Sequence, residues 1–256
     1  MYKDKFKEHF IEIKLVIVEE LENMEQYVKC NKVDFAINRS RNHIMGELLE
    51  QKGVRVFNSS SVTRIANNKG ITYEFLKDVV PFLAVKYGNE IIESKIENKG
   101  FEYPYVIKSC SGHGGSQVFL VNNSKEEEQA IKAMNGQEYV VQQCCSDLGR
   151  DVRVYIIGNK IIKAVLRTST ESFKSNYSLG GKVQEYTLNN EEKAMVERIV
   201  DKLPLDYAGI DFTFHNGKAV FNEIEDAVGA RMLYQVSDID IVEMYIKHIL
   251  EQLSKE

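Results

Sequence analysis

The chain has 256 residues, 43% of them hydrophobic, enough to bury a sizeable core in one to three structural units. Its formal net charge of −5, with no run of Lys or Arg, excludes a global field that attracts nucleic acid, and no apolar run approaches membrane-spanning length. The four cysteines show no CxxC or Cys/His metal spacing and the start "MYKDKFKEHF" is too charged for a signal peptide, so a soluble cytoplasmic protein without nucleic-acid or membrane partners is expected.

In chain order, "IEIKLVIV" (11–18) alternates and then runs apolar, which predicts a strand. A second strand, "VDFAIN" (33–38), precedes the helical "NHIMGELLEQKG", and "VRVFN" (54–58) follows as a third. This alternation reads as a small α/β unit with a mainly parallel sheet. Residues 62–78 and 88–97 read as helices. From Tyr103 the texture changes to hairpins: "YPYVIK" and "SQVFLV" flank a glycine-rich turn, and "KEEEQAIKAMNG" is a helix. Three strands follow in "EYVVQQCC" and "RDVRVYIIGNKIIKAVLRTS", two of them joined by Gly158-Asn159. The helix "NEEKAMVERIVDKL", the strand pair "YAGIDFTF" and "KAVFNEIE", and a closing amphipathic helix complete the chain. That last helix carries Ile241, Val242, Tyr245, Ile246, Ile249 and Leu253 at core-facing spacing.

Three constellations carry chemistry. In "IKSCSGHGGSQVF", Lys108 ends a strand, and Ser111, Gly112, Gly114 and Gly115 sit in the loop to the next. Exposed backbone N–H groups in such a loop can hold phosphate oxygens, and an ordinary glycine-rich hairpin is the other reading. It is neither a P-loop nor a Rossmann turn, because the glycine spacing differs and a strand follows. The second constellation is the hairpin "GIDFTF-HNG-KAVFNEIE". A three-residue loop, 215–217, pairs Phe214 with Lys218 and puts Asp211, Glu223 and Glu225 on one face, with Ile210, Phe212, Val220 and Ile224 on the core side. A two-residue Asn-Gly turn would shift the register by one and separate Asp211 from both glutamates. Three carboxylates on one face suit Mg²⁺, or a solvated sheet edge. Asp226 is outside that set, because it points to the other face or starts the following loop. The third is "LRTSTESFKSNYSLGG", where Arg167, Lys174 and Asn176 could contact anions, or form a surface loop.

Together and in this order, these residues resemble the RimK-like ligases of the ATP-grasp superfamily. The resemblance runs from about Val33 to Leu253. It rests on Lys69 in "ANNKGITYEFL", on "YVIKSCSGHGGSQVFLV", on "GRDVRVYIIGNKIIKAVLRTST", on "FKSN…LGGK" and on "LDYAGIDF…FNEIE". It implies an α/β (α+β) ATP-grasp fold, two α+β subdomains sandwiching the nucleotide behind a short α/β N-terminal unit. The expected divisions are a truncated unit at 1–66, a lid subdomain at 67–137 and a metal-bearing subdomain at 138–256.

The resemblance further implies that Lys69 and Lys108 hold nucleotide phosphates and that the loop 109–116 is the lid. Gln142, Gln143, Cys144 and Cys145 form the adenine slot, and Asp151 lies near the ribose. Arg153, Lys174 and Asn176 surround the transferring phosphate, with Arg231 a further guide for an anionic intermediate. Asp211, Glu223 and Glu225 are the metal ligands. ATP and one or two Mg²⁺ ions, or Mn²⁺, are the implied cofactors, and a carboxylate and an amine the substrates. The implied reaction is ADP-forming activation of the carboxylate as an acyl phosphate and its capture by the amine. Alternatives are a nucleotide-binding regulatory or scaffolding module, or an enzyme with a thiol or phosphate acceptor.

Departures from the family pattern are specific. The hinge has Gln143 and Cys144 in place of Glu and an aromatic residue, and Lys174 replaces an arginine. Glu225 stands where asparagine is usual, and Val228 where proline is. The N-terminal unit is about one strand–helix element short, which leaves room for a partner or a second copy to complete the substrate side.

Overall fold

The computed structural model describes residues 2–88, 101–115, 117–170, 173 and 181–255. Helix α1 (Tyr2–Glu8) leads to an extended segment and a 3₁₀ turn at Val18–Glu20, followed by α2 (Met24–Cys30). The strand expected over 11–18 does not form. Alternation alone cannot make a strand without a partner, and β1 (Phe35–Ile37) and β2 (Arg55–Phe57) pair only with each other, in parallel. Ile11 and Ile13 lean on a neighbouring apolar cluster, while Phe10 and Leu15 stand 100% and 84% exposed. Helix α3 (His43–Glu50), capped by Asn42, joins β1 to β2.

The helix expected over 62–78 is two, α4 (Ser60–Ala66) and α5 (Lys69–Leu76). Two adjacent asparagines explain the break, because short amide side chains compete for backbone donors. Asn68 Oδ1 accepts from Ile71 N at 3.1 Å as the cap of α5, and Lys69 N turns away to Cys110 O at 2.9 Å. The break therefore sets Lys69 at a helix start, beside the glycine-rich loop. The helix expected over 88–97 lies, beyond Gly88, outside the described residues.

A four-stranded antiparallel sheet follows, built from β3 (Val85–Tyr87), β4 (Tyr105–Ser109), β5 (Val118–Val121) and β6 (Tyr139–Gln143) in the order β3-β6-β4-β5. Helix α6 (Ser124–Met134) covers it, with Ala130 and Met134 packed on Tyr105, Ile107 and Val141. The larger sheet contains β7 (Arg150–Ile157), β8 (Lys160–Thr168), β9 (Lys182–Tyr186), β10 (Tyr207–His215) and β11 (Lys218–Glu225), in the order β11-β10-β7-β8-β9.

One face of the larger sheet is apolar along its length. Val152, Val154, Ile156, Ile210 and Phe212 meet α4, α5 and α7 (Asn190–Lys202) there. The opposite face changes character along each strand. At one end Tyr155, Ile157, Val165 and Tyr207 are buried under α8 (Arg231–Val236) and α9 (Ile241–Leu253). At the other end the same alternation presents Asp151, Arg153, Arg167 and Asp211, all buried. Each fully buried Ile, Leu or Phe is worth roughly 1.5–3 kcal/mol, so the apolar end anchors the face that carries the charges.

The β10–β11 hairpin corrects the expected turn and preserves its consequence. Asn216 and Gly217 both have positive φ, 52° and 73°, and His215 pairs with Lys218 across a two-residue loop. That register would part Asp211 from Glu223. A β-bulge between Asp211 and Phe212 shifts it back, so Asp211 pairs with Glu223 and Gly209 with Glu225. Because the shift falls inside the hairpin, the core residue of β11 is Phe221, not Val220.

Candidate active site

Most of the described residues named from sequence gather on two walls of one cleft. On the lid wall, Lys108 lies at the end of β4, buried, with Nζ 2.6 Å from Gln142 Oε1 and 2.8 Å from Asn222 Oδ1. Burial is the main cause of its low pKa, about 8, with Lys69 adding to the fall and Glu223 opposing it. Asn222 reaches Lys108 from β11, next to the shifted register. Tyr73 ties the arrangement together, donating to Asn222 O at 2.8 Å and accepting from Gln142 Nε2 at 3.1 Å.

Lys69 Nζ donates to Gly112 O at 2.7 Å and lies 3.4 Å from Glu223 Oε2. One ammonium thus touches both the lid loop and the carboxylate wall. Gly114 and Gly115 take φ of +62° and +77°, a region that favours glycine, and both line the cleft with Gly112. Ser111 stands exposed in the same loop. His113 faces the cleft as well, and burial, with Arg41 and Lys69 nearby, lowers its imidazole to about 4. At the end of β6, Gln142 is buried, while Gln143 and Cys145 line the same compartment; Cys144 beside them is half-exposed.

On the sheet wall, Arg153 Nε and Nη2 each donate to Asp211 at 2.7 Å, and Arg153 Nη2 lies 2.6 Å from Glu225 Oε2. Arg167 Nη2 donates to Asp211 Oδ2 at 2.7 Å and to Asp151 Oδ2 at 2.8 Å, and its Nε donates to Asp151 Oδ1. Asp211 is completely buried. Burial alone would raise its pKa, but the two guanidiniums outweigh that and hold the carboxyl below the usual range. Room for this pairing comes from Gly209, where a Cβ would meet Val228 Cγ2 at 2.9 Å and Arg153 Cδ at 3.2 Å.

The structure therefore places Asp211 between two arginines, not in an open group of carboxylates. Glu223 and Glu225 are partly exposed and line the cleft, Glu225 also lying 3.7 Å from Arg41 Nη2 of the N-terminal unit. Among the described residues, no three His, Cys, Asp or Glu side chains converge as a metal cluster. Arg231, the first residue of α8, lines the compartment beyond Glu225. Lys174 and Asn176 lie outside the described residues. Asp226 is buried behind the site and accepts from Asn67 Nδ2 at 2.9 Å.

Sequence reasoning did not single out Tyr73, Asn222 or Arg41. Asn222 had a signal: an Asn-Gly turn and a shared carboxylate face are compatible only if one residue is extra between them. Among the described residues no helix is long and apolar enough to cross a membrane.

Comparison with known proteins bears on family and fold. The RimK-like ATP-grasp domain model matches residues 59–249. Uncharacterized protein MG011 of Mycoplasma genitalium is 33% identical over 243 residues, 94% of this chain and 82% of the relative. A probable alpha-L-glutamate ligase of Vibrio vulnificus is 27% identical over 238 residues, 91% of this chain and 70% of the relative. The crystal structure of a RimK domain ATP-grasp protein from Sphaerobacter thermophilus superposes with a TM-score of 0.78 at 20% identity, over 96% of this chain and 93% of that one. With its family match covering most of the chain and its two sheets set about a lysine-bearing cleft, this chain belongs to the RimK-like ATP-grasp family and has the ATP-grasp fold.

Proposed function

We propose that the protein is an ATP-dependent, ADP-forming carboxylate–amine ligase. The observation that supports this most is the convergence of Lys69, Lys108, the glycine loop and Glu223 in one cleft. The two ammonium groups neutralise the triphosphate, and backbone N–H groups of Gly114 and Gly115 cradle it when the lid closes. The adenine rests against the β6 end at Gln142–Cys145, with Asp151 on the ribose side. A substrate carboxylate attacks the γ-phosphorus, the bond to the β-phosphate oxygen breaks, and ADP leaves an acyl phosphate. An amine attacks the acyl carbon, phosphate departs, and the amine's proton is lost as the amide forms. Arg153 and Arg231, with Lys174 and Asn176, orient the anionic intermediate.

The donor set fits a magnesium ion in part. Glu223 and Glu225 offer cleft-facing oxygens and would hold Mg²⁺ or Mn²⁺, which would shield the β- and γ-phosphate charge. Asp211 holds Arg153 and Arg167 in place, and becomes a ligand only on releasing a guanidinium. The ammonium of Lys69 at Glu223 marks where positive charge is already accepted.

Glu223→Gln is expected to leave the fold intact, read by circular dichroism, and to suppress substrate-dependent ADP release; near-normal turnover would remove Glu223 from the mechanism. Hydroxylamine supplied with the correct acid should yield a hydroxamate. A second reading, a nucleotide-binding module with little ligase activity, draws on the closed Asp211 pairing. Nucleotide binding without ADP release across a broad panel of acids and amines would favour it.

A further inference from the structure

Two adjacent thiols close the hinge, Cys144 and Cys145, both partly accessible. Cys145 lines the nucleotide compartment together with Lys108, Gln142 and Thr213. The ligase chemistry uses neither sulfur. The other two cysteines differ in placement: Cys110 is buried, and Cys30 is exposed at the end of α2.

The surroundings of the pair are asymmetric. Cys145 lines the compartment beside Lys108 and Thr213, with Lys69, Arg150 and Arg167 in the same lining, whereas Cys144 is outside that lining. The neighbouring Cys144 thiol, with Thr213 and the Lys108 charge, lowers the Cys145 thiol against the opposing effect of burial, while the same pairing and burial push Cys144 up. A partly accessible thiol in a pocket lined by Lys69, Lys108, Arg150 and Arg167, with a second accessible thiol next to it in the chain, has the arrangement of an oxidation-prone pair.

We propose that Cys145 is a modification site, a peroxide-sensitive thiol inside the nucleotide compartment, with Cys144 as its resolving partner. The Cys145 thiolate attacks a peroxide oxygen, the O–O bond breaks, and sulfur keeps one oxygen as a sulfenic acid while the departing hydroxide takes up a proton. Cys144 sulfur then attacks Cys145 sulfur, the S–O bond breaks, and that oxygen leaves as water with the Cys144 proton. The two thiols lose two electrons, and hydrogen peroxide becomes two waters. Neighbouring Cα atoms stand about 3.8 Å apart across a trans peptide, closer than the usual disulfide span of about 4.4–6.8 Å, so the product is readily reduced by added thiol. Its location as a nucleotide-controlled site rests on the nucleotide-binding reading above; the thiol chemistry does not.

The test treats the full chain with iodoacetamide or hydrogen peroxide and reads each cysteine peptide by mass spectrometry. Cys145 is expected to alkylate about tenfold faster than the more exposed Cys30. Peroxide should remove two hydrogens from the peptide bearing the pair, reversibly with dithiothreitol. In Cys144→Ser the reaction should stop at a sulfenic acid on Cys145 that dimedone traps, and Cys145→Ser should abolish both products. Faster labelling of Cys30, or a pair that stays reduced while Cys30 oxidises, overturns the proposal. ADP with Mg²⁺ should slow labelling of Cys145 and leave Cys30 unchanged. If calorimetry shows ADP bound without protecting Cys145, the placement in the nucleotide compartment is overturned. If ADP does not bind at all, the ligase reading falls, and the labelling order and the peroxide product still decide the thiol chemistry.

Discussion

On the sheet wall of the cleft, Asp151, Arg153, Arg167 and Asp211 answer one another, whereas on the lid wall an equally buried Lys108 hydrogen-bonds, among the described residues, to the amides of Gln142 and Asn222. The first wall is neutralised from within. The second carries a cation whose hydrogen-bond partners are neutral amides, with Glu223 and Cys145 acting on it only through their charge. Their electrostatics follow: the guanidiniums hold Asp211 below its usual range, while desolvation drags Lys108 down to about 8. The comparison teaches that rigidity and ligand attraction are divided between the walls. A buried, paired network positions side chains, and a buried cation held by neutral amides keeps an attraction for an incoming anion.

The largest expected effect breaks the neutral wall. Asp211→Asn leaves two buried guanidiniums short of a counter-charge, a loss of about 3–5 kcal/mol, measured by urea unfolding. If Asp211 served only as a metal ligand among repelling carboxylates, its neutralisation would instead stabilise the metal-free protein. Arg153→Met in the Asp211→Asn background should recover part of the loss, since the two side chains form one network and the other partner of Arg153, Glu225, is partly exposed and also lies near Arg41.

Lys108→Met tests the other wall and has the opposite sign. A fall from 10.5 to about 8 means that keeping this ammonium charged costs about 3 kcal/mol at neutral pH. Methionine removes that cost but strands the Gln142 and Asn222 oxygens, returning about 1–2 kcal/mol. The variant should therefore be about 1–2 kcal/mol more stable at pH 7, while nucleotide affinity measured by calorimetry collapses.

The same group sets a pH dependence. Lys108 has a lowered folded-state pKa, so its destabilising contribution is present below about 8 and is relieved as pH rises from there toward 10.5. Stability from this residue thus increases with pH across that window. Nucleotide affinity runs the other way, because phosphate binds the ammonium form. Affinity should fall about tenfold between pH 7 and pH 9, and Lys108→Met should flatten that profile.

Much of this was legible in the sequence, for different reasons in different places. The apolar alternation of β7 and β10 fixes which face carries Asp151, Arg153 and Asp211, because side-chain direction in a strand is set by period alone. The β10–β11 pairing was harder. The turn residues specify a two-residue loop, and only a bulge with no strong local signature restores Glu223 to Asp211. The 11–18 segment shows the reverse failure: its alternation is real, but pairing depends on a distant strand with a free edge. The resemblance picks out Arg153 as a residue of the site, and the structure puts it in the cleft. Its pairing with Asp211 was not legible, because two charged side chains on adjacent strands can face a ligand or each other, and sequence does not weigh those against one another.

The smallest effect on stability belongs to the lid, where Gly114→Ala probes whether the loop matters to the fold or only to the ligand. A Cβ at Gly114 meets nothing within 4 Å, so packing does not resist it. Its φ of +62° does, at a cost of about 1 kcal/mol for an L-residue. Since the loop contributes little to the core, local rearrangement should absorb part of that cost, and thermal denaturation should shift by only a few degrees. Nucleotide affinity should fall further than stability does, because Gly114 lines the cleft and the proposed phosphate contacts depend on the loop backbone. Equal losses in both would mean that the lid supports the fold as the sheet wall does, and the division between the walls would fail.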